Sequence, residues 1–117
     1  PELEIPGYGC EDHFLELDTV NHSWEVLAEL LSSDLTDGIL CDIGIPALHR
    51  SLRYNCRVWV YNRRILLVRP KMVLADELNY RESRYFARWY ASPGDELEEF
   101  KLPLCITHVT GQTTAPF

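Results

Sequence analysis

At 117 residues, with 46% hydrophobic and 25% charged residues, the chain has the size and composition of one globular domain, which excludes a disordered segment. No apolar run approaches the roughly 20 residues of a membrane helix, and no basic stretch followed by an apolar one marks a secretory leader. The net charge of −7 argues against a polyanion as partner.

The charge is unevenly distributed. Residues 1–49 carry eleven Asp or Glu and no Lys or Arg, whereas residues 50–71 carry seven Arg or Lys and no acid. A basic block of this kind could meet nucleic acid or phosphate. Opposite charges on neighbouring parts of one sheet account for it more simply.

Residues 1–5 read as the end of a strand entering the turn Pro6-Gly7-Tyr8-Gly9. Glu2 beside that turn is either a solvated carboxylate or one presented to a cleft. Glu11 and Asp12 open a short helix through Leu17, with acids at its positive end. Asp18 caps a longer helix whose Val20, Trp24, Leu27 and Leu31 form an apolar stripe of helical period, with Glu25 and Glu29 on the solvated side. That helix ends by Ser33, and residues 34–38 are rich in turn formers.

Residues 39–45 predict a strand buried on both faces and ended by Pro46. Asp42 inside it needs a hydrogen-bond partner or a place near the strand end. From Tyr54 to Tyr61 side chains alternate, with Tyr54, Cys56, Val58 and Val60 on one face and Asn55, Arg57, Trp59 and Tyr61 on the other. Asn62-Arg63-Arg64 breaks the run and residues 65–68 form a second strand, so the two make a hairpin. Its exit carries Lys71, a cation that either snorkels to solvent or works in a cleft.

Beyond Lys71 neither period is clean. Residues 75–90 combine arginines with Tyr80, Tyr85, Phe86, Trp89 and Tyr90. Such a mixture can stack on bases, but a long loop packed down by its aromatics is the plainer reading. Ser92-Pro93-Gly94-Asp95 predicts a turn, residues 96–100 an exposed acidic edge, and residues 102–109 one more short element. The order strand, helix, strand, strand, strand implies an α/β layer structure.

Cys10, Cys41, Cys56 and Cys105 show no paired C-x-x-C spacing, and two lie in apolar strands. Reduced thiols in a reducing compartment fit this better than disulfides. Cys10 and His13, with His22 nearby, are one weak metal-like spacing, and no metal site is expected.

Asn55 followed by the hairpin and Arg69-Pro-Lys71 resembles the lysine-bearing segment of the nitrilase, or carbon–nitrogen hydrolase, superfamily. Three further motifs narrow the resemblance: Pro1-Glu-Leu-Glu-Ile-Pro-Gly-Tyr-Gly-Cys-Glu-Asp-His-Phe14, Arg53-Tyr-Asn-Cys-Arg57 and Asn79-Tyr-Arg-Glu82. In order and spacing they are similar to the amino-terminal glutaminase domains of eukaryotic-type glutamine-dependent NAD synthetases, and the likeness runs the length of the chain. It implies a partial nitrilase-type α-β-β-α sandwich over residues 1–117, lacking the first strand and the later strand that bears the nucleophile. It implies that Glu2 is the general base and Lys71 the oxyanion-stabilising cation. Tyr8 and Tyr80 would line the glutamine pocket, and Glu82 would be a second, structural glutamate near the lysine.

The resemblance also implies a cytoplasmic, homo-oligomeric parent with neither nucleic acid nor membrane as partner. The parent would hydrolyse glutamine and pass ammonia to a synthetase domain absent here, which uses ATP and magnesium to amidate nicotinate adenine dinucleotide. No cofactor is expected in residues 1–117. Two departures bear on the loop after Lys71: Leu78 replaces a more usual glycine, and Ala87-Arg88 a Thr-Pro pair. Glu2 and Lys71 are expected at the same end of one sheet, and the chain by itself is expected to be inactive. The alternatives are another nitrilase-family amidase, or a non-catalytic binding module, either a truncated product or a nucleic-acid binder using residues 50–88.

Overall fold

The structure is a computed structural model that describes residues 1–91, 94 and 97–117. Its centre is a three-stranded antiparallel sheet in the order β1 (Cys41–His49), β2 (Leu52–Tyr61), β3 (Arg64–Pro70). Both hairpins turn on two residues, Arg50-Ser51 and Asn62-Arg63, all four at positive φ. That pair of left-handed residues is the turn whose twist matches the twist of the strands. The second turn is clasped from residues 36–38: Thr36 accepts from the Asn62 and Arg63 amides, and the Asn62 side chain accepts from Gly38.

The helix α1 (Leu17–Ser32) packs on the inner face of this sheet through Val20, Trp24, Leu27, Ala28 and Leu31. They meet Ile43, Ile45 and Ala47 of β1 and Tyr54, Cys56, Val58 and Val60 of β2, every one buried. After an irregular segment holding the one-turn helix α2 (Glu82–Tyr85), the chain adds β4 (Glu99–Lys101), α3 (Leu104–Thr110) and β5 (Thr114–Pro116). β4 and β5 form a two-stranded ladder. Gln112 ties this layer to the edge of β3, its side-chain amide bonding both the N–H and the C=O of Ile65. Phe100 and Phe117 close the core with stacked rings 5.3 Å apart.

Several expectations change. Residues 1–5 are not a strand: the segment turns, with Leu3 at φ 51°, and lies over the outer face of β1. Gly44 permits this, because a Cβ there would stand 2.5 Å from the Leu3 nitrogen. Pro46 does not end β1, which runs on to His49. β1 is an edge strand, so the missing proline N–H faces no neighbour, and the Pro46 carbonyl accepts from the Trp24 indole. The helix expected to open at Glu11 is a run of 3-10 turns over Tyr8–Leu15, and α1 starts from Glu16 rather than Asp18. The register between β2 and β3 shifts by one residue after Trp59, which leaves Leu66 as a bulge. The edge expected over residues 96–100 includes β4, whose Phe100 is buried.

The turn expected at residues 92–95, Gly94 apart, and the start of the acidic stretch at Glu96 lie outside the described residues. No helix among the described residues is long and apolar enough to cross a membrane. The acidic and basic blocks do meet: Arg57 bonds Asp42, Arg63 bonds Asp37, and Lys71 bonds Glu2.

Candidate active site

Lys71 leaves β3 one residue after Pro70, and its backbone N–H donates to the Asn55 carbonyl on β2 at 2.8 Å. Its ammonium then sits between two carboxylates, 2.8 Å from Glu2 Oε1 and 2.9 Å from Glu82 Oε2. Glu2 comes from the turn over β1, 69 positions away in sequence, and Glu82 opens α2. The structure thus gathers Glu2, Lys71 and Glu82 from three parts of the chain at one end of the sheet.

The two carboxylates differ. Glu82 is 4% exposed and accepts from Lys71, from the Ala75 amide at 2.7 Å and from the Tyr8 hydroxyl at 2.7 Å. Every lone pair within reach has a donor, so it is a fixed counter-charge. Glu2 is 41% exposed and accepts from Lys71 and from the Asn55 amide at 2.9 Å. It is the carboxylate with room to take up and return a proton.

Electrostatics follow from this packing. Partial burial works against the Glu2 anion, but hydrogen bonds from Lys71 and Asn55 outweigh it and hold the carboxyl below its ordinary value. Burial likewise works against the Lys71 ammonium, yet its bonds to Glu2 and Glu82 hold it above its ordinary value. Burial and the neighbouring Glu82 carboxylate push the Tyr8 hydroxyl up. Across neutral pH the centre is a fixed cation flanked by a reachable base.

Two clefts flank it. One, of about 280 Å³, is lined by Glu2, Asn55, Arg69 and Lys71 among others. The larger, of about 360 Å³, has Tyr8, Tyr80 and Glu82 in its wall. Tyr80 meets Tyr8 edge to face at 6.3 Å, and among the described residues its side chain makes no hydrogen bond to Glu2, Lys71 or Glu82. Leu78 keeps the left-handed turn that a glycine would favour, with φ 58°, and the residue is 87% exposed. The loop after Lys71 is pinned by a small cluster of Leu3, Phe14 and Phe86, which also anchors the segment carrying Glu2 and Tyr8.

Asn55 is the residue of the network not singled out as a site residue from sequence. The available signal was an asparagine inside a strand, where it is disfavoured, and its place in the motifs that carry the family resemblance. Among the described residues no cysteine bonds to Glu2, Lys71 or Glu82. Cys56 is on the core face, where burial pushes its thiol up, and the Cys10 thiol donates to the Pro6 carbonyl. His13 and His22 pair with Glu16 and Glu25.

Residues 1–111 match the family described as carbon-nitrogen hydrolase. The whole chain is 57% identical to a glutamine-dependent NAD(+) synthetase of Arabidopsis thaliana and 56% identical to one of Homo sapiens. It spans 16% of the length of each of those relatives. A crystal structure of a glutamine-dependent NAD(+) synthetase from Cytophaga hutchinsonii superposes on all of it with a TM-score of 0.81 at 30% identity, using 18% of that chain.

Proposed function

This chain belongs to the carbon–nitrogen hydrolase family, and from that premise we propose that residues 1–117 are part of the glutaminase domain of a glutamine-dependent NAD synthetase. The observation that carries the reading is the Lys71 ammonium held between Glu2 and Glu82 at one end of the sheet. Amide hydrolysis by a thiol needs a base, a fixed positive charge at the oxyanion and a nucleophile. Glu2 takes the thiol proton and returns it to the departing ammonia. Lys71 stabilises the oxyanion, and Glu82 holds Lys71 in place. Tyr8 and Tyr80 line the pocket for the glutamine side chain.

The nucleophilic thiol comes from another part of the protein, since none of the four cysteines here bonds to the centre. The ammonia passes to a synthetase domain that amidates nicotinate adenine dinucleotide with ATP and magnesium. Among the described residues no three His, Cys, Asp or Glu side chains gather as metal ligands. The same reading makes the parent a cytoplasmic homo-oligomer, and the four free cysteines agree with a reducing compartment. Carboxylates engage Arg57, Arg63, Lys71 and Arg84 of the arginine-rich region, which favours this reading over a nucleic-acid module.

The test is ammonia release from glutamine by the full-length protein, its Glu2→Gln and Lys71→Ala variants, and the 117-residue chain. The full-length protein turns over, both variants lose nearly all activity, and the chain alone stays at the Lys71→Ala background. Turnover by the chain above that background would make one of its own cysteines the nucleophile and overturn the assignment.

A further inference from the structure

The turn that carries Glu2 is not a strand of the sheet: it touches β1 through the backbone bond from Ile5 to Gly44, and side chains of β2 add further ties. Three of them come from one row on the outer face of β2, at alternate positions. Arg53 donates to the Leu15 carbonyl at 2.6 Å, Asn55 to Glu2 at 2.9 Å, and Arg57 to the Pro1 carbonyl. The outer two grip backbone, one at each end of the segment. Only the middle one touches the carboxylate.

Asn55 is 2% exposed, and it bonds the side chain of Glu2 and the backbone of Lys71. Its side-chain amide donates to Glu2 Oε2, while its main-chain carbonyl accepts from the Lys71 N–H at 2.8 Å. An ammonium is a compact charge with three rotatable donors and does not fix the plane of a carboxylate. Lys71 is moreover shared with Glu82, which accepts from it through both oxygens. A planar amide donor in a rigid strand does set that plane. An aspartate at 55 would repel Glu2, and an alanine would leave an oxygen of Glu2 with no protein donor but the shared ammonium.

Resting on the glutaminase reading above, we propose that Asn55 is a positioning residue for glutamine hydrolysis, fixing the Glu2 carboxylate in register with Lys71. Its effect on the reaction runs through Glu2, and it does not touch the substrate. Losing it frees a half-exposed carboxylate to swing by about an ångström, the scale of misplacement that costs about 100-fold in rate.

The experiment uses the full-length protein with Asn55→Ala and Asn55→Asp, and unfolding is measured on each so that a folding failure is seen directly and separated from a loss of positioning. Measured are kcat and KM for glutamine-dependent ammonia release, the pH profile of kcat/KM, and thermal unfolding. Expected for Asn55→Ala is a kcat about 100-fold lower with KM little changed, and an acid limb moved to higher pH, because a donor to the Glu2 anion is gone. Asn55→Asp moves that limb further, because it adds a like charge. A loss of kcat with the acid limb unmoved in both variants makes Asn55 merely structural and overturns the proposal. So does kcat within about threefold of wild type. Failure of the glutaminase reading is a separate outcome, seen as a Lys71→Ala variant that keeps its turnover whatever Asn55 does.

Discussion

The two faces of β2 hold the molecule together in different ways. Inward, Tyr54, Cys56, Val58 and Val60 are buried against α1, β4 and β5 with no hydrogen bond needed to place them. Outward, Arg53, Asn55 and Arg57 bind the Pro1–Leu15 region by directed hydrogen bonds, and Trp59 and Tyr61 remain 41% exposed. Burial of carbon is non-directional and tolerates small shifts. A hydrogen-bonded row fixes angles and fails when one member is removed. Stability is therefore concentrated on one face and the geometry of the candidate site on the other, so mutations on the two faces should separate folding from activity.

The largest expected effect lies on the outer side. Lys71→Met in the full-length protein removes the cation proposed to stabilise the oxyanion and leaves Glu82 buried without that partner. Activity falls to background, and stability drops by about 2 kcal/mol once the partial exposure of Lys71 is allowed for. Adding Glu82→Gln restores most of that stability, because the carboxamide oxygen still accepts from the Ala75 amide and its NH2 can donate to the Tyr8 hydroxyl, which turns from donor to acceptor. It does not restore turnover. Denaturant unfolding and ammonia release on the single and double variants check both halves, and recovered turnover in the double variant would break the distinction between the faces.

On the inner side, Leu27 is fully buried between α1 and the sheet. Leu27→Ala is expected to cost about 3 kcal/mol through lost transfer energy and an unfilled cavity. The specific activity of molecules still folded should stay near that of wild type. A loss of kcat that exceeds the unfolded fraction would mean that the core face also sets the site.

What could be read from sequence divides along the same line. The α1 stripe and the β2 alternation were legible because periodic burial writes itself into residue order. Glu2, Lys71, Tyr8 and Glu82 came from motif resemblance, since nothing periodic links Tyr8 to a glutamate 74 positions away. Residues 1–5 imitate a strand in their alternation of Glu with Leu or Ile, and only the close approach to Gly44 shows that they turn. Pro46 was misread because its tolerance depends on β1 being an edge, a property of the sheet and not of the segment. The bulge at Leu66 was invisible, since Ile-Leu-Leu-Val carries no polar marker of register.

A smaller effect is expected at Tyr8, whose hydroxyl is one of the donors to Glu82 but whose side chain is partly exposed. Tyr8→Phe removes one bond to a charged acceptor while Lys71 and the Ala75 amide remain. The expected cost is about 1 kcal/mol of stability and about fivefold in kcat/KM. An unchanged kcat/KM would place Tyr8 outside the positioning of Glu82.

The smallest effect is the dependence of stability on pH through Glu2. Its carboxyl is held below the ordinary value of 4.5, so the folded state binds that proton less readily than the unfolded chain. The contribution is fully present above 4.5 and is lost as the pH falls through the depressed folded value. Lys71 has the opposite sense: held above 10.5, its contribution is present at lower pH and lost as the pH rises through its raised value. Because Glu2 is 41% exposed, solvent screens the pair, and the acid-side effect should stay under about 1 kcal/mol. Unfolding midpoints measured from pH 3 to pH 6 on wild type and Glu2→Gln test this. The two curves should converge as acid protonates Glu2 and separate above its titration. A gap that widens toward low pH would mean that the Glu2 carboxyl is stabilised in its neutral form, and the charged centre described for Lys71 would be wrong.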